Sequence, residues 1–114
     1  LGSREKLLAL EPNLHALSPT KIGVVAPCPP QHGADFELRA FVGGSHPLED
    51  PVTGSLNASV AQWLIGAGVA PERYVAAQGM VLGRDGRVYI ERRASDIWVG
   101  GHCVSLVTGR VELQ

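Results

Sequence analysis

The sequence has no long hydrophobic run and no marked excess of charge of either sign. No apolar stretch in the 114 residues approaches the roughly 20 that a membrane-spanning helix needs, and no charged-then-apolar signal opens the chain. Ten Lys and Arg against eleven Asp and Glu give a formal net charge of −1, without a basic block. We therefore expect a cytoplasmic protein that contacts neither nucleic acid nor a membrane.

Cysteine is scarce, and the histidines are scattered. The two cysteines, Cys28 and Cys103, are far apart in sequence; we expect two buried free thiols, with a disulfide between them as the alternative. The four histidines are His15, His32, His46 and His102. Because they lack zinc-like spacing, the sequence predicts no metal site.

What is present fits one globular domain. The apolar fraction is 45% and the charged fraction 18%, which are ordinary values for such a domain. We assign residues 1–114 to a single domain. Residues 1–20 form its lead-in segment, with a short helix over Ser3 to Leu10 followed by a linker.

One stretch, Glu49 to Gly68, combines a turn broken by proline and glycine, Asp50 to Ser55, with the long helix that follows it. Its apolar residues recur at helical spacing and form one stripe, at Leu56, Val60 and Leu64. We expect this helix to begin between Pro51 and Leu56 and to end near Gly66, where the glycines begin.

Short runs rich in β-branched and aromatic residues predict strands on both sides of the helix. The predicted strands are Ile22–Ala26, Phe36–Val42, Tyr74–Gln78, Met80–Leu82, Arg87–Arg93, Ile97–Val99, His102–Val107 and Arg110–Leu113. The fold class is therefore α+β: a mixed, curved sheet of six or so strands, forming a half barrel wrapped around one central helix.

The turn before the helix carries the candidate functional residues. Either Asp50 or Thr53 can cap the helix. In both cases the amides of Gly54, Ser55 and Leu56 lie at its N-terminus, where free donors and the helix dipole favour an anion such as a carboxylate. Gly54 allows close approach to the backbone, with Asp50 and Ser55 beside it. For such a turn by itself, an ordinary capped helix is the commoner interpretation.

The motifs together resemble one family. The run LEDPVTGSLNASVAQWL at 48–64 resembles the signature of the PhzF (phenazine biosynthesis-like) family. FELRAF is similar to the family's arginine-bearing strand, QGMVLGRDGRVYIE to its hairpin, and WVGGHCVSLVTGRVEL to its closing strands; LEPNLHAL resembles the lead-in. The likeness covers nearly the whole chain, in order.

This resemblance implies the carboxy-terminal lobe of a diaminopimelate-epimerase-like fold, whose active site lies between the helix N-termini of two lobes. It assigns catalytic roles to Asp50 and Ser55, and substrate binding to Asp50, Gly54, Ser55 and Leu56. Leu56 is bulkier than the family's usual alanine. Because the first lobe's catalytic glutamate has no counterpart here, the resemblance implies an isomerase without predicting activity for this chain alone.

Three hypotheses follow. In the first, the chain is the substrate-binding lobe of an isomerase that moves a proton on a small carboxylate-bearing, amino-acid-like or cyclic substrate, without a cofactor. In the second, it is a self-associating binding module or a different catalyst. In the third, it is a non-catalytic structural half-domain. The expected partners are the small-molecule substrate and either the missing amino-terminal lobe or a second copy in a homodimer.

Overall fold

The computed structural model describes residues 1–17 and 19–114; Ser18, inside the predicted lead-in segment, lies outside the described residues. The elements run in the order α1 (Arg4–Leu8), β1 (Lys21–Pro27), β2 (Phe36–Val42), β3 (Leu48–Asp50), α2 (Gly54–Gly66), β4 (Arg73–Gln78), a 3₁₀ turn (Met80–Leu82), β5 (Gly86–Arg93) and β6 (Asp96–Gly100). Neither α1 nor α2 has the length and apolarity that crossing a membrane requires.

The strands form one mixed, curved sheet that does not close. Its order is β1-β2-β4-β5-β6, and β3 pairs with β2 beside this path. The β2–β4 pair is parallel, with Leu38 opposite Gln78, and the other pairs are antiparallel. A parallel pair needs a crossover connection, and α2 lies within that connection. The mixed α+β sheet predicted from the sequence is confirmed.

The core lies between α2 and the sheet. From α2 it takes Val60, Ala61, Leu64 and Ile65; from the strands it takes Phe36, Leu38, Tyr74, Ala76, Val88 and Ile90. Leu56, the first residue of the predicted stripe, is partly buried against this cluster. The predicted helix is confirmed, since α2 begins at Gly54 and ends at Gly66.

Three predicted strands are wrong. The segment Met80–Leu82 is a 3₁₀ turn bracketed by Gly79 (φ 95°) and Gly83 (φ 69°), whose left-handed backbone interrupts an extended chain. Residues 101–114, which include the predicted strands 102–107 and 110–113, form no strand and are exposed. A strand needs a pairing partner, and in the described chain β6 is already the last strand of the sheet.

Smaller corrections concern α1, β3 and the thiols. The first helix is shorter than predicted, and Leu48–Asp50 is a strand that was not among the predicted ones. Both cysteines are free, but Cys28 is only partly buried and Cys103 is exposed. The prediction that both thiols are buried is therefore wrong.

Arg39 joins the lead-in segment to the rest of the fold. Its side chain is 4% exposed, and the guanidinium makes a two-point ion pair with Glu49, with Nε–Oε1 and Nη2–Oε2 distances of 2.8 Å. Nη1 also donates to the carbonyl oxygens of Leu7 (3.0 Å) and Leu10 (2.8 Å). One buried side chain on β2 thus holds both the segment after α1 and the strand that leads into the turn at Asp50.

Candidate functional site

The turn between β3 and α2 lacks the side-chain cap that was predicted for the helix. Asp50 ends β3, opposite Ala40, and is not the N-cap residue of α2. Thr53 occupies the N-cap position, but its side chain makes no capping hydrogen bond. Its hydroxyl donates instead to Oδ2 of Asp50, at 2.7 Å. The prediction that Asp50 caps α2 is therefore wrong. The alternative prediction is correct for the position of Thr53, but the Thr53 side chain does not cap the helix.

Gln78 organises this turn. Its side chain is 1% exposed, and Nε2 donates to the Asp50 carbonyl (2.9 Å) and to Thr53 Oγ1 (3.0 Å). Oε1 accepts from the Thr53 amide (3.1 Å) and from Asn57 Nδ2 (3.0 Å). Four hydrogen bonds from one buried amide therefore fix the backbone immediately before α2. No sequence motif had pointed to Gln78 as a site residue.

These contacts leave the start of α2 without a side-chain cap from Thr53. Asn57 closes the first helical turn by donating to the Thr53 carbonyl at 3.0 Å. A Cβ placed on Gly54 would meet nothing within 4 Å, so the backbone there faces open space. An uncapped helix start with free space before it has the donors and the dipole that suit an anion.

Three of the four predicted site residues share one cavity of about 390 Å³. The cavity is lined by Lys21, Ile22, Gly23, Ala40, Phe41, Val42, Asp50, Thr53, Ser55, Leu56 and Ser59. Its lining thus combines Asp50, two serines and Lys21 with apolar residues. Lys21 was missed by the sequence analysis, because only the pairing of β1 with β2 brings it opposite Val42 and near the turn.

Gly54 lies on a different depression, of about 580 Å³, with Arg87 and His102 among its lining residues. His102 Nε2 is 3.0 Å from the Tyr89 hydroxyl. The start of α2 therefore has two faces, with Asp50 and Ser55 on one and Gly54 on the other.

The bulk of Leu56 is directed against β1. A Cβ on Gly23 would lie 2.2 Å from Leu56 Cδ1, so the leucine occupies the space that the missing side chain leaves. Leu56 consequently forms one wall of the smaller cavity while remaining packed against the sheet. The size of Leu56 therefore narrows the cavity.

The fold and the turn define a class of protein. It is an α+β domain in which a curved sheet packs on one long helix, and polar side chains gather at the uncapped start of that helix. The family model described as phenazine biosynthesis-like protein (PhzC-PhzF) matches residues 1–109. The chain belongs to this family, and membership points to an isomerase-type enzyme. A search of curated proteins found no match.

Proposed function

We propose that this chain is the carboxy-terminal, substrate-binding lobe of a PhzF-type isomerase with the diaminopimelate-epimerase-like fold. Its reaction is a proton transfer on a small carboxylate-bearing substrate, amino-acid-like or cyclic. The observation that carries the proposal is the start of α2, where amides without a side-chain cap lie beside Asp50 and Ser55. Family membership supports the reaction type.

Each group has a role that its position allows. The amides of residues 54–56 receive the substrate carboxylate. Thr53 contacts Oδ2 of Asp50, and the other carboxylate oxygen can accept a hydrogen bond from a substrate amine or hydroxyl. Ser55 adds a hydroxyl, and Lys21 brings positive charge to the same cavity. The general base that moves the proton comes from the facing lobe, and such a shift needs no cofactor.

The cavity limits the size and shape of the substrate. Its volume of about 390 Å³ is near the lower end of small-molecule sites, which run from about 300 to 1,000 Å³. Val42 and Leu56 supply apolar walls, whereas Asp50 and Lys21 supply opposite charges. A compact molecule with a carboxylate, an amine or hydroxyl and an apolar ring or chain fits this lining.

The test is a titration with anthranilate, a small cyclic amino carboxylate, followed by NMR at the amides of residues 54–56. Asp50→Asn keeps the shape of the side chain and deletes its charge. Since hydrogen bonds to charged groups contribute about 1.5–3 kcal/mol, we expect affinity to fall roughly 10–100-fold while the Tm barely moves. Ser55→Ala should cost about 0.5–1.5 kcal/mol, or up to about 3 if its partner is charged.

Matched controls are available in exposed turns. Ser95→Ala and Asp96→Asn make the same chemical changes at exposed positions around the turn into β6, outside both depressions at the start of α2, and should leave the affinity for anthranilate unchanged. Equal affinities for the parent, Asp50→Asn and Ser55→Ala would leave the turn as a helix start and nothing more.

The alternative function is that of a self-associating half-domain without catalytic activity. The exposed apolar side chains of β6 favour this alternative, because they can contact a second copy of the chain. Trp98 and Val99 are 56% and 39% exposed on a strand at the end of the sheet. Both hypotheses fit a cytoplasmic protein, because free thiols such as Cys28 and Cys103 are usual in a reducing compartment.

A further inference from the structure

Three metal-binding side chains meet near the start of β2. Cys28 and His32 lie in the loop between β1 and β2, and Glu37 is the second residue of β2. One sulfur, one ring nitrogen and one carboxylate oxygen all lie within 4.8 Å of one another. A tetrahedral zinc site with ligand distances of about 2.0–2.3 Å separates its ligand atoms by about 3.3–3.8 Å. The three atoms are therefore roughly 1 Å from coordinating geometry.

The loop is fixed by its own backbone. The Cys28 amide donates to the Asp35 carbonyl at 2.8 Å, and the His32 amide donates to the Pro29 carbonyl at 3.0 Å. Pro29 and Pro30 restrict the backbone between the two ligands. Asp35 is also anchored to β4, because its amide donates to the Val75 carbonyl at 2.8 Å. The two loop ligands therefore need side-chain rotation, and little backbone movement, to approach a metal.

Two polar groups of the cluster are buried, and one of them has no partner in the described part of the chain. His32 Nδ1 is buried and has no hydrogen-bond partner among the residues that the structure describes, which is an unfavourable state for a ring nitrogen. Glu37 is 1% exposed, and Arg4 Nε contacts its Oε2 at 2.8 Å. Because Arg4 contacts this one oxygen, the carboxylate can offer its other oxygen to a metal.

We propose that Cys28, His32 and Glu37 bind one divalent transition-metal ion of the Zn²⁺ class, with solvent as the fourth ligand. A mixed sulfur, nitrogen and oxygen donor set suits such a borderline ion. The thiolate balances one of its two positive charges, and Glu37 shares its negative charge between the ion and Arg4. A cavity of about 250 Å³, lined by Cys28 together with Ser3, Arg4 and Glu5, lets the ion enter from solvent. The bound ion ties the β1–β2 loop to β2.

The parent protein provides the first test, with Co²⁺ as a spectroscopic substitute for Zn²⁺. We expect one Co²⁺ per chain, a thiolate-to-cobalt charge-transfer absorption, ligand-field bands of tetrahedral intensity, and displacement by Zn²⁺. Zn²⁺ should also raise the Tm, because it binds the folded state. Absence of the thiolate absorption in the folded parent protein would overturn the proposal without any variant.

Variants identify the ligands. Cys28→Ser and His32→Ala should each weaken Co²⁺ binding at least about tenfold, and Cys28→Ser should abolish the thiolate absorption. Glu37→Gln can still accept the Arg4 hydrogen bond and should weaken binding in the same way. Cys103→Ser and His46→Ala remove the same side-chain types at exposed positions and should bind Co²⁺ like the parent. Parent-like affinity and absorption in Cys28→Ser would contradict the assignment.

Discussion

Tyr74 is a buried phenol with an unsatisfied hydroxyl. Its side chain is 5% exposed and meets the Phe36 ring edge-to-face, with 5.2 Å between ring centroids. The hydroxyl has no hydrogen-bond partner within the described part of the chain. Burial, and secondarily the nearby Asp35 carboxylate, raise the pKa of Tyr74 from 10 to about 12. The fold therefore holds this phenol in its neutral form.

This shift predicts a loss of stability in alkali. The pKa is higher in the folded than in the unfolded chain, so the folded state binds the proton more tightly. The contribution of Tyr74 is complete below pH 10 and is lost as the pH rises through about 12. Tyr74→Phe should remove this part of the decrease in the free energy of unfolding, as measured by urea unfolding between pH 10 and about 12. Tyr89→Phe, at a 43% exposed position, should retain it, and an unchanged alkaline profile in Tyr74→Phe would refute the expectation.

Gly54 allows stability and binding to be separated. A Cβ at this position meets nothing within 4 Å, so Gly54→Ala fits the folded chain. Ala is favoured over Gly in helices by up to about 1 kcal/mol. We expect Gly54→Ala to raise the free energy of unfolding or leave it unchanged. It should weaken the binding of anthranilate, because the added methyl group stands beside the amides of residues 54–56 that receive the carboxylate.

The matched control for that substitution is Gly66→Ala at the other end of α2. Gly66 also has nothing within 4 Å of an added Cβ, so the change in helix propensity is similar. Gly66→Ala should change the free energy of unfolding by about as much as Gly54→Ala does, and it should leave the affinity for anthranilate unchanged. If Gly54→Ala binds anthranilate as tightly as Gly66→Ala does, the α2 N-terminus is not the carboxylate site.

At the scale of elements, Gln78 connects β4 to the turn before α2. Gln78→Ala deletes four hydrogen bonds at a buried position. It leaves the Thr53 amide without this acceptor, whereas Asn57 Nδ2 keeps its hydrogen bond to the Thr53 carbonyl. Because stranded buried donors cost about 1–3 kcal/mol each and partial relaxation is usual, we expect a loss of about 2–4 kcal/mol in urea unfolding. Gln62→Ala, on the exposed face of α2, should stay within about 0.5 kcal/mol. A loss of similar size in both variants would remove the special role of Gln78.

The elements also show what sequence periodicity can predict. The apolar stripe identified α2 because a helix packed on one sheet must bury one face, as Val60 and Leu64 do. Strand β3 was missed because three residues carry no measurable alternation, and its existence depends on pairing with β2. The strand prediction at 102–107 followed local composition, whereas a strand also requires a neighbouring strand.

The candidate site was predictable only where it is local in sequence. Asp50, Ser55 and Leu56 belong to one short motif, and they share a cavity. Lys21 and Gln78 join them through the register of β1 with β2 and of β4 with β2, which no single segment encodes. The Cys28, His32 and Glu37 cluster was overlooked because a carboxylate on a strand completes it.

At the scale of the whole molecule, the described chain is more extended than a compact domain of its length. Its radius of gyration is 15.9 Å, against about 13 Å expected. Residues 101–114 account for part of this, because all are exposed. They include five large apolar side chains that are more than 80% exposed: Val104, Leu106, Val107, Val111 and Leu113. Apolar surface of this kind commonly marks an interaction site.

We therefore expect the protein to self-associate through β6 and the segment that follows it. An exposed strand at the end of a sheet can pair with another copy. Sedimentation should show a concentration-dependent dimer, and Trp98→Lys should weaken it. Leu48→Lys, on β3 and separated from β6 by three strands of the sheet, is the control and should dimerise like the parent. A monodisperse monomer at high concentration would count against this interface.

The contacts of Arg39 have a consequence for how local unfolding spreads. Its guanidinium holds the carbonyls of Leu7 and Leu10 and both oxygens of Glu49, so neither segment can detach without uncovering the same buried charge. Backbone amides of residues 7–10 and of 49–50 should thus exchange with deuterated water in one cooperative event. Anthranilate at the start of α2 should slow both groups together. Unequal slowing of exchange in the two groups would show that the two segments open independently. Arg39→Met should uncouple the exchange of residues 7–10 from that of residues 49–50.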